Sequence, residues 1–316
     1  MSEHFCDVGR GIRLCYEPFG DPGRPPMLLI MGLGVQMIAW DEGFCQQLAD
    51  RGFYVLRFDN RDAGRSTHMT SRAPTRGQLV RRRMPPEQYS LSDMATDTVE
   101  LVRRLGLSPA HVVGASMGGM IGQTMAAEHP DDLRSLTSIM SSTGNRWRGQ
   151  PALRLLPLLL ARASRDRDEF IERAVRVFTL IGSPAFPPDP EQIRRRAERS
   201  WERDQDPWGV GRQLGAIIAS GDRARQLRRI TTPTLVIHGT NDRLVASSGG
   251  KATARAIPEA RLMTIKGLGH DLPEPVWPQI IDAIAEHAAR ADSVAQQATA
   301  KRTSEPLRPA MSQSGD

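Results

Sequence analysis

His111-Val-Val-Gly114-Ala115-Ser116-Met117-Gly118-Gly119-Met120-Ile121 is the stretch on which the reading of this chain turns. Two β-branched valines run into a Gly-Ala-Ser-Met-Gly turn, and a helix-forming segment follows until Pro130 stops it. The order is strand, sharp turn, helix, with a serine at the tip. A turn this tight strains the serine backbone and demands residues without bulk two places before and after it, hence Gly114 and Gly118. The serine oxygen is then held clear of the sheet. The Met117 N–H lies beside it in the first helical turn, where unpaired donors and the macrodipole favour a developing oxyanion.

On either side of this turn the rhythm is strand and helix in short units. Ile12 to Tyr16 reads as a strand, and Met27-Leu-Leu-Ile-Met31 as a buried strand running into Gly32-Leu33-Gly34. Asp41 to Arg51 reads as a helix, Tyr54 to Phe58 as a strand and Ser92 to Leu105 as a helix. Leu136 to Met140 is the strand after the elbow helix. From about Ser142 to Arg228 strands disappear and helical runs take over: Pro151 to Ala163, Arg167 to Ile181, Glu191 to Asp204 and Trp208 to Ser220. The first rhythm resumes with Thr234-Leu-Val-Ile-His238, a helix near Gly250 to Ile257, the strand Arg261 to Ile265 and a closing helix carrying Trp277, Ile280, Ile281 and Ile284. The prediction is α/β: a doubly wound, mostly parallel eight-stranded sheet with an α-helical cap insertion. The expected division is core over 1–141, helical cap over 142–228, core again over 229–290 and a disordered tail over 291–316.

A serine hydroxyl needs a base, and an imidazole base needs an acid to fix its tautomer. In a sheet of this kind the reactive groups gather at the carboxyl ends of the strands, in the chain order Ser, acid, His. Asp242 follows the strand that ends at His238, and His270 follows the strand that ends at Ile265. The other histidines fail this placement: His111 begins a strand, His129 ends a helix, His238 lies within a strand, and His4, His68 and His287 are peripheral. Ser116, Asp242 and His270 are therefore the expected catalytic residues, with Leu33 N–H beside Met117 N–H as the second oxyanion donor. The cap faces Leu155, Leu158, Leu159, Phe178 and Ile181, set against Gly32, Leu33, Gly34, Met37 and Met117, give the expected substrate pocket, apolar and adaptable. Trp40 reads as a packing residue.

From about Ile12 to Ala288 these residues resemble the α/β-hydrolase superfamily. Within it the chain is similar to the esterase and lipase group that includes actinobacterial lipase G and aclacinomycin methylesterase. The resemblance rests on Met31-Gly-Leu-Gly34, Asp59-Asn-Arg-Asp62 with Gly64-Arg65-Ser66, the elbow, His238-Gly-Thr-Asn-Asp242 and Gly267-Leu-Gly-His270. It implies Ser116 as nucleophile, His270 as base, Asp242 as acid, Leu33 and Met117 as oxyanion donors, and a small-molecule ester of short to medium chain as substrate. Two departures stand out: many relatives have His-Gly where Met31-Gly32 stands, and glycine where Asp62 stands. Asp59 and Arg61 are expected to buttress that loop. A cofactor-free perhydrolase of the haloperoxidase type shares the triad and is the alternative enzyme. A receptor using the pocket without turnover is a third reading, against which the triad speaks. A serine at the elbow disfavours dehalogenase chemistry, which needs aspartate there.

Composition narrows the classes further. The 316 residues carry a net charge of +6 and are 39% hydrophobic, with a mean hydropathy of -0.40. The charge rests on arginine, since Lys251, Lys266 and Lys301 are the only lysines. Aromatics are 5% and no nucleic-acid motif accompanies the charge, so no nucleic-acid partner is expected. Arg72, Arg76, Arg81, Arg82 and Arg83 admit two readings, contact with an anionic membrane surface or a solvated loop. Cys6, Cys15 and Cys45 lack metal-ligand spacing, no metal or organic cofactor is expected, and the N-terminus shows no secretory pattern. The expected location is cytoplasmic.

Overall fold

The structure, a computed structural model, describes the backbone of residues 3–155 and 164–304 and side chains as far as 297. Eight strands form one sheet: β1 (His4–Gly9), β2 (Ile12–Phe19), β3 (Pro26–Ile30), β4 (Tyr54–Phe58), β5 (Ala110–Ala115), β6 (Leu133–Ile139), β7 (Thr234–Gly239) and β8 (Arg261–Ile265). Their spatial order is β1-β2-β4-β3-β5-β6-β7-β8. β1 pairs antiparallel with β2 and β2 antiparallel with β4, while every later pair is parallel.

Side chains alternate between two cores. On β3, Leu28 and Ile30 face α3 (Leu91–Arg104) and α4 (Met117–Glu128), through Leu91, Met94 and Ile121. Met27 and Leu29 face α1 (Glu42–Asp50) and the last helix, through Phe44, Leu48, Trp277 and Ile280. Trp40 is buried and stacks on Phe44 at 5.5 Å. A short helix, α2 (Arg76–Arg81), lies in the basic connection; its capping box is complete and none of its residues is buried.

Between β6 and β7 no strand occurs among the described residues. Helices α5 (Arg167–Ile181), α6 (Pro190–Arg203), α7 (Gly209–Ser220) and α8 (Ala224–Leu227) occupy this segment, and α5 packs on α6. The helical run expected from Pro151 to Ala163 is described only to Leu155, as a 3-10 turn over Leu153–Leu155; Leu158 and Leu159 lie outside the described residues.

After β7 come α9 (Ser248–Ala256) and α10 (Trp277–Ser304). The expectation of disorder is corrected for residues 291–304, because the helix runs on to Ser304; residues 305–316 of the expected tail lie outside the described residues. Alanine and glutamine are good helix formers, and extending an existing helix avoids the cost of nucleation. Asp292 also ties the extension to β6, within 3.3 Å of Arg134.

His287 fixes the same helix lower down. Its Nε2–H lies 3.2 Å from both the Leu136 and the Pro233 carbonyls. Burial pushes its pKa down to about 4, further than those two carbonyls raise it. In the unfolded chain the value is about 6.5. Between those values the unfolded state holds a proton that the native state refuses, so stability is complete above about 6.5 and declines as pH falls toward 4. The contribution is up to roughly 3 kcal/mol. Urea unfolding of wild type and His287→Gln at pH 7 and pH 4.5 should show a smaller acid loss in the variant, which keeps an N–H donor. Equal losses in the two proteins overturn the assignment.

Candidate active site

The elbow forms where β5 meets α4. Ile30 pairs with Gly114 and Ala115 with Ile139, and the Ser116 N–H donates to the Ile139 carbonyl at 2.9 Å. α4 is pressed into the sheet so closely that a Cβ on Gly118 would overlap the Ile30 carbonyl, and one on Gly114 would overlap the Gly118 carbonyl. Ser116 itself has φ 56° and ψ -117°, a conformation that costs a non-glycine residue about 1–3 kcal/mol. Met117 is the first residue of α4, so its N–H belongs to the turn whose donors have no intrahelical partner. Gly32 abuts the serine, since a Cβ there would sit 3.6 Å from Ser116 Oγ.

Asp242 and His270 come together at the same carboxyl edge. His270 Nδ1 is 2.8 Å from Asp242 Oδ2, while Oδ1 accepts the N–H groups of Leu244 at 2.9 Å and Val245 at 2.8 Å. Burial alone would raise the Asp242 carboxyl; the adjacent His270 and His238 outweigh it and hold the group well below the usual carboxylate range. His238, set aside in the sequence reading as a strand residue, is therefore part of the site. Its Nε2–H donates to the Val245 carbonyl at 2.8 Å and lies 3.4 Å from Asp242 Oδ2. A histidine four residues before the acid was the available signal.

The cap holds both loops of the site. Gln213 of α7 is fully buried; its Oε1 accepts the Gly34 N–H at 2.7 Å and its Nε2 donates to the Arg61 carbonyl at 2.8 Å. At the end of α5 the Ile181 carbonyl accepts the His270 N–H at 2.9 Å, and Ser183 Oγ accepts the Gly269 N–H at 2.7 Å while donating to Asp271. The sequence reading missed Gln213 and Ser183, which only the docked cap brings to these loops.

The loop after β4 is organised by charge. Asp59 accepts from Met37 N–H at 2.7 Å and from Arg203 at 2.6 Å. Asp62 takes a left-handed φ of 64°, which accounts for glycine being usable there, and its carboxylate receives Arg212, Tyr89 and the Met69 N–H. Asp62, His68 and Asp206 are spaced to share a metal ion, but the Arg212 guanidinium already bridges Asp62 and Asp206.

A cavity of about 120 Å³ lies between cap and core, lined by Gly34, Val35, Ala39, Phe170, Phe178 and Trp201 among others. Of the expected pocket residues, Gly34 and Phe178 line it. Met37 does not: it is buried with Cys15 and Ile38, because the peptide that carries it is drawn inward to Asp59. Leu155 is buried in its 3-10 turn, and Ile181 is buried beside the His270 loop, so neither lines this cavity.

The chain matches the alpha/beta hydrolase fold family over residues 25–274. A rhodomycin D methylesterase of Streptomyces sp. (strain C5) is 29% identical over 303 residues, covering 89% of this chain and 96% of the relative. A putative carbamate hydrolase of Caulobacter segnis is 30% identical over 261 residues, covering 81% and 89%. The crystal structure of a putative lipase from Acinetobacter baumannii AYE superposes with a TM-score of 0.72 at 19% identity, covering 92% of each chain, a likeness of fold. With the strand order, the elbow and this match over most of its length, the chain belongs to the alpha/beta hydrolase fold family and is a hydrolase.

Proposed function

We propose that the chain hydrolyses carboxylic esters through an acyl-enzyme, with Ser116 as nucleophile, His270 as base and Asp242 as acid. One observation carries the reading: the His270 Nδ1 contact with a fully hydrogen-bonded Asp242, on the sheet edge that presents Ser116 at positive φ. Nδ1–H donates to the carboxylate, which leaves Nε2 as the lone-pair nitrogen that accepts the serine proton. Ser116 Oγ adds to the ester carbonyl and charge develops on its oxygen, toward the N–H groups of Leu33 and Met117. Collapse expels the alcohol, protonated by His270, and water activated by His270 releases the acid. The likeness to methylesterases supports an ester as the substrate. The apolar side chains Phe170, Phe178 and Trp201 in the cavity wall support a short to medium chain.

Ser116→Ala should abolish turnover of p-nitrophenyl esters with the fold retained, and residual activity above a trace overturns the nucleophile. Asp242→Asn should lower kcat by about 10⁴. With Gln213→Leu the loop carrying Leu33 loses its anchor. Losing an oxyanion donor outright costs about 10²–10³ in kcat, so a donor left in place but loosened should cost roughly tenfold, mainly in kcat. Gln213→Glu, which keeps the acceptor for Gly34, should lose less; the reverse order counts against the anchoring role. Across p-nitrophenyl esters, kcat/KM should rise from acetyl to medium chains and then fall, each methylene contributing up to about 0.8 kcal/mol. A sharp preference for acetyl overturns the chain-length reading.

A further inference from the structure

Arg196 stands in the cavity wall on α6, its guanidinium carbon 4.8 Å from the centre of the Phe178 ring. Among the described residues no carboxylate lies within ion-pair distance of it, although many other arginines of the chain are so paired. The carboxylates whose field reaches it are Asp271 and Asp41, and both are engaged elsewhere. Asp271 accepts from Ser183, and Asp41 caps α1 by accepting the Gly43 N–H. Burial pushes the Arg196 pKa down, against the weaker pull of those two acids. The acids in the cavity wall are satisfied as well: Asp62 and Asp206 by Arg212, and Asp204 by the N–H groups of Gly64 and Asp206.

Arg196 is half-buried in this wall, stacked on Phe178 and without a counter-ion, so an anion entering the cavity meets a guanidinium whose charge no carboxylate among the described residues neutralises. Its planar fork suits a carboxylate, which it can bind through two parallel N–H donors. The acid-lined part of the wall repels an anion, so a negative group in this cavity is directed to Arg196. Gly34 in its wall is the chain neighbour of Leu33, and Phe178 lies on the helix whose last carbonyl holds His270, although Ser116, Asp242 and His270 do not themselves line the cavity.

We infer that this cavity binds an ester whose apolar portion ends in a carboxylate, with Arg196 as the counter-ion that selects it. The inference rests on the ester-hydrolase reading above. Arg196 is a specificity residue and takes no part in bond making.

Two matched substrate pairs test it. Monomethyl adipate against methyl hexanoate places the carboxylate on the acyl side; the acetate ester of 6-hydroxyhexanoate against hexyl acetate places it on the alcohol side. In wild type one pair should favour the anion in kcat/KM by at least about tenfold. Arg196→Met should erase that ratio and Arg196→Lys should retain part of it. Should the Met variant not fold, Arg196→Gln reads the same ratio. No anionic preference in either pair, or a preference that survives loss of the charge, overturns the inference. Absence of Ser116-dependent hydrolysis of every ester sinks the parent reading instead. Calorimetric titration of Ser116→Ala protein with both anionic esters then decides the site without turnover. At least one Kd should weaken about tenfold or more when Arg196→Met is added, and unchanged binding of both overturns the inference.

Discussion

The site depends on how closely α4 can approach the ends of β3 and β5. With no side chain at Gly114 or Gly118, the first turn of the helix lies directly on the Ile30 carbonyl. That contact forces the chain to reverse within one residue, so Ser116 absorbs the strain at φ 56°. The strain persists because both flanks are fixed, by the Ser116 N–H bond to Ile139 and by Ser141 Oγ, which donates to the Ser116 carbonyl at 2.8 Å. The same closeness leaves Gly32 against the serine. One packing constraint thus sets Ser116, the start of α4 and the neighbouring loop together.

The cap completes what the sheet begins. A loop such as Gly32-Leu33-Gly34 has little side chain with which to hold its own shape, and Gln213 supplies the missing anchor from α7. The His270 loop is held in the same way from the end of α5. These bonds reach backbone groups, so they hold the position of the loops whatever substrate enters. The cavity between cap and core, in contrast, is lined by side chains of both, Phe170, Phe178 and Trp201 from the cap and Val35 and Ala39 from the core.

Much of this was legible in the sequence because it is local. The apolar run of β3, the Gly-x-Ser-x-Gly spacing and the positions of Asp242 and His270 just past two strands each depend on a few neighbouring residues. What stayed hidden is non-local. Gln213 lies 179 positions from Gly34, and no spacing rule links them. β1 was missed because His4 to Gly9 is half-exposed and lacks an apolar alternation. Met37 was assigned to the pocket on its type and proximity to the glycine loop, whereas Asp59 turns its backbone inward. The helical tail was lost because its composition is that of disordered segments, while its neighbour upstream had already nucleated a helix.

Arginine shows the same limit most sharply. Spread through the chain, it reads as a diffuse basic character, yet the side chains of Arg57, Arg61, Arg203 and Arg212 are all largely covered. Arg203 and Arg212 belong to the cap, and their partners Asp59 and Asp62 belong to the core. Such pairs add little net stability over apolar packing, but separating one leaves a buried charge alone, at about 3–5 kcal/mol. A cap docked in another position would lose both cross-pairs, although Asp59 and Asp62 would keep donors from the core and Arg212 would keep Asp206. The two pairs thus favour the placement of the cap that also brings Gln213 to Gly34 and Ile181 to His270.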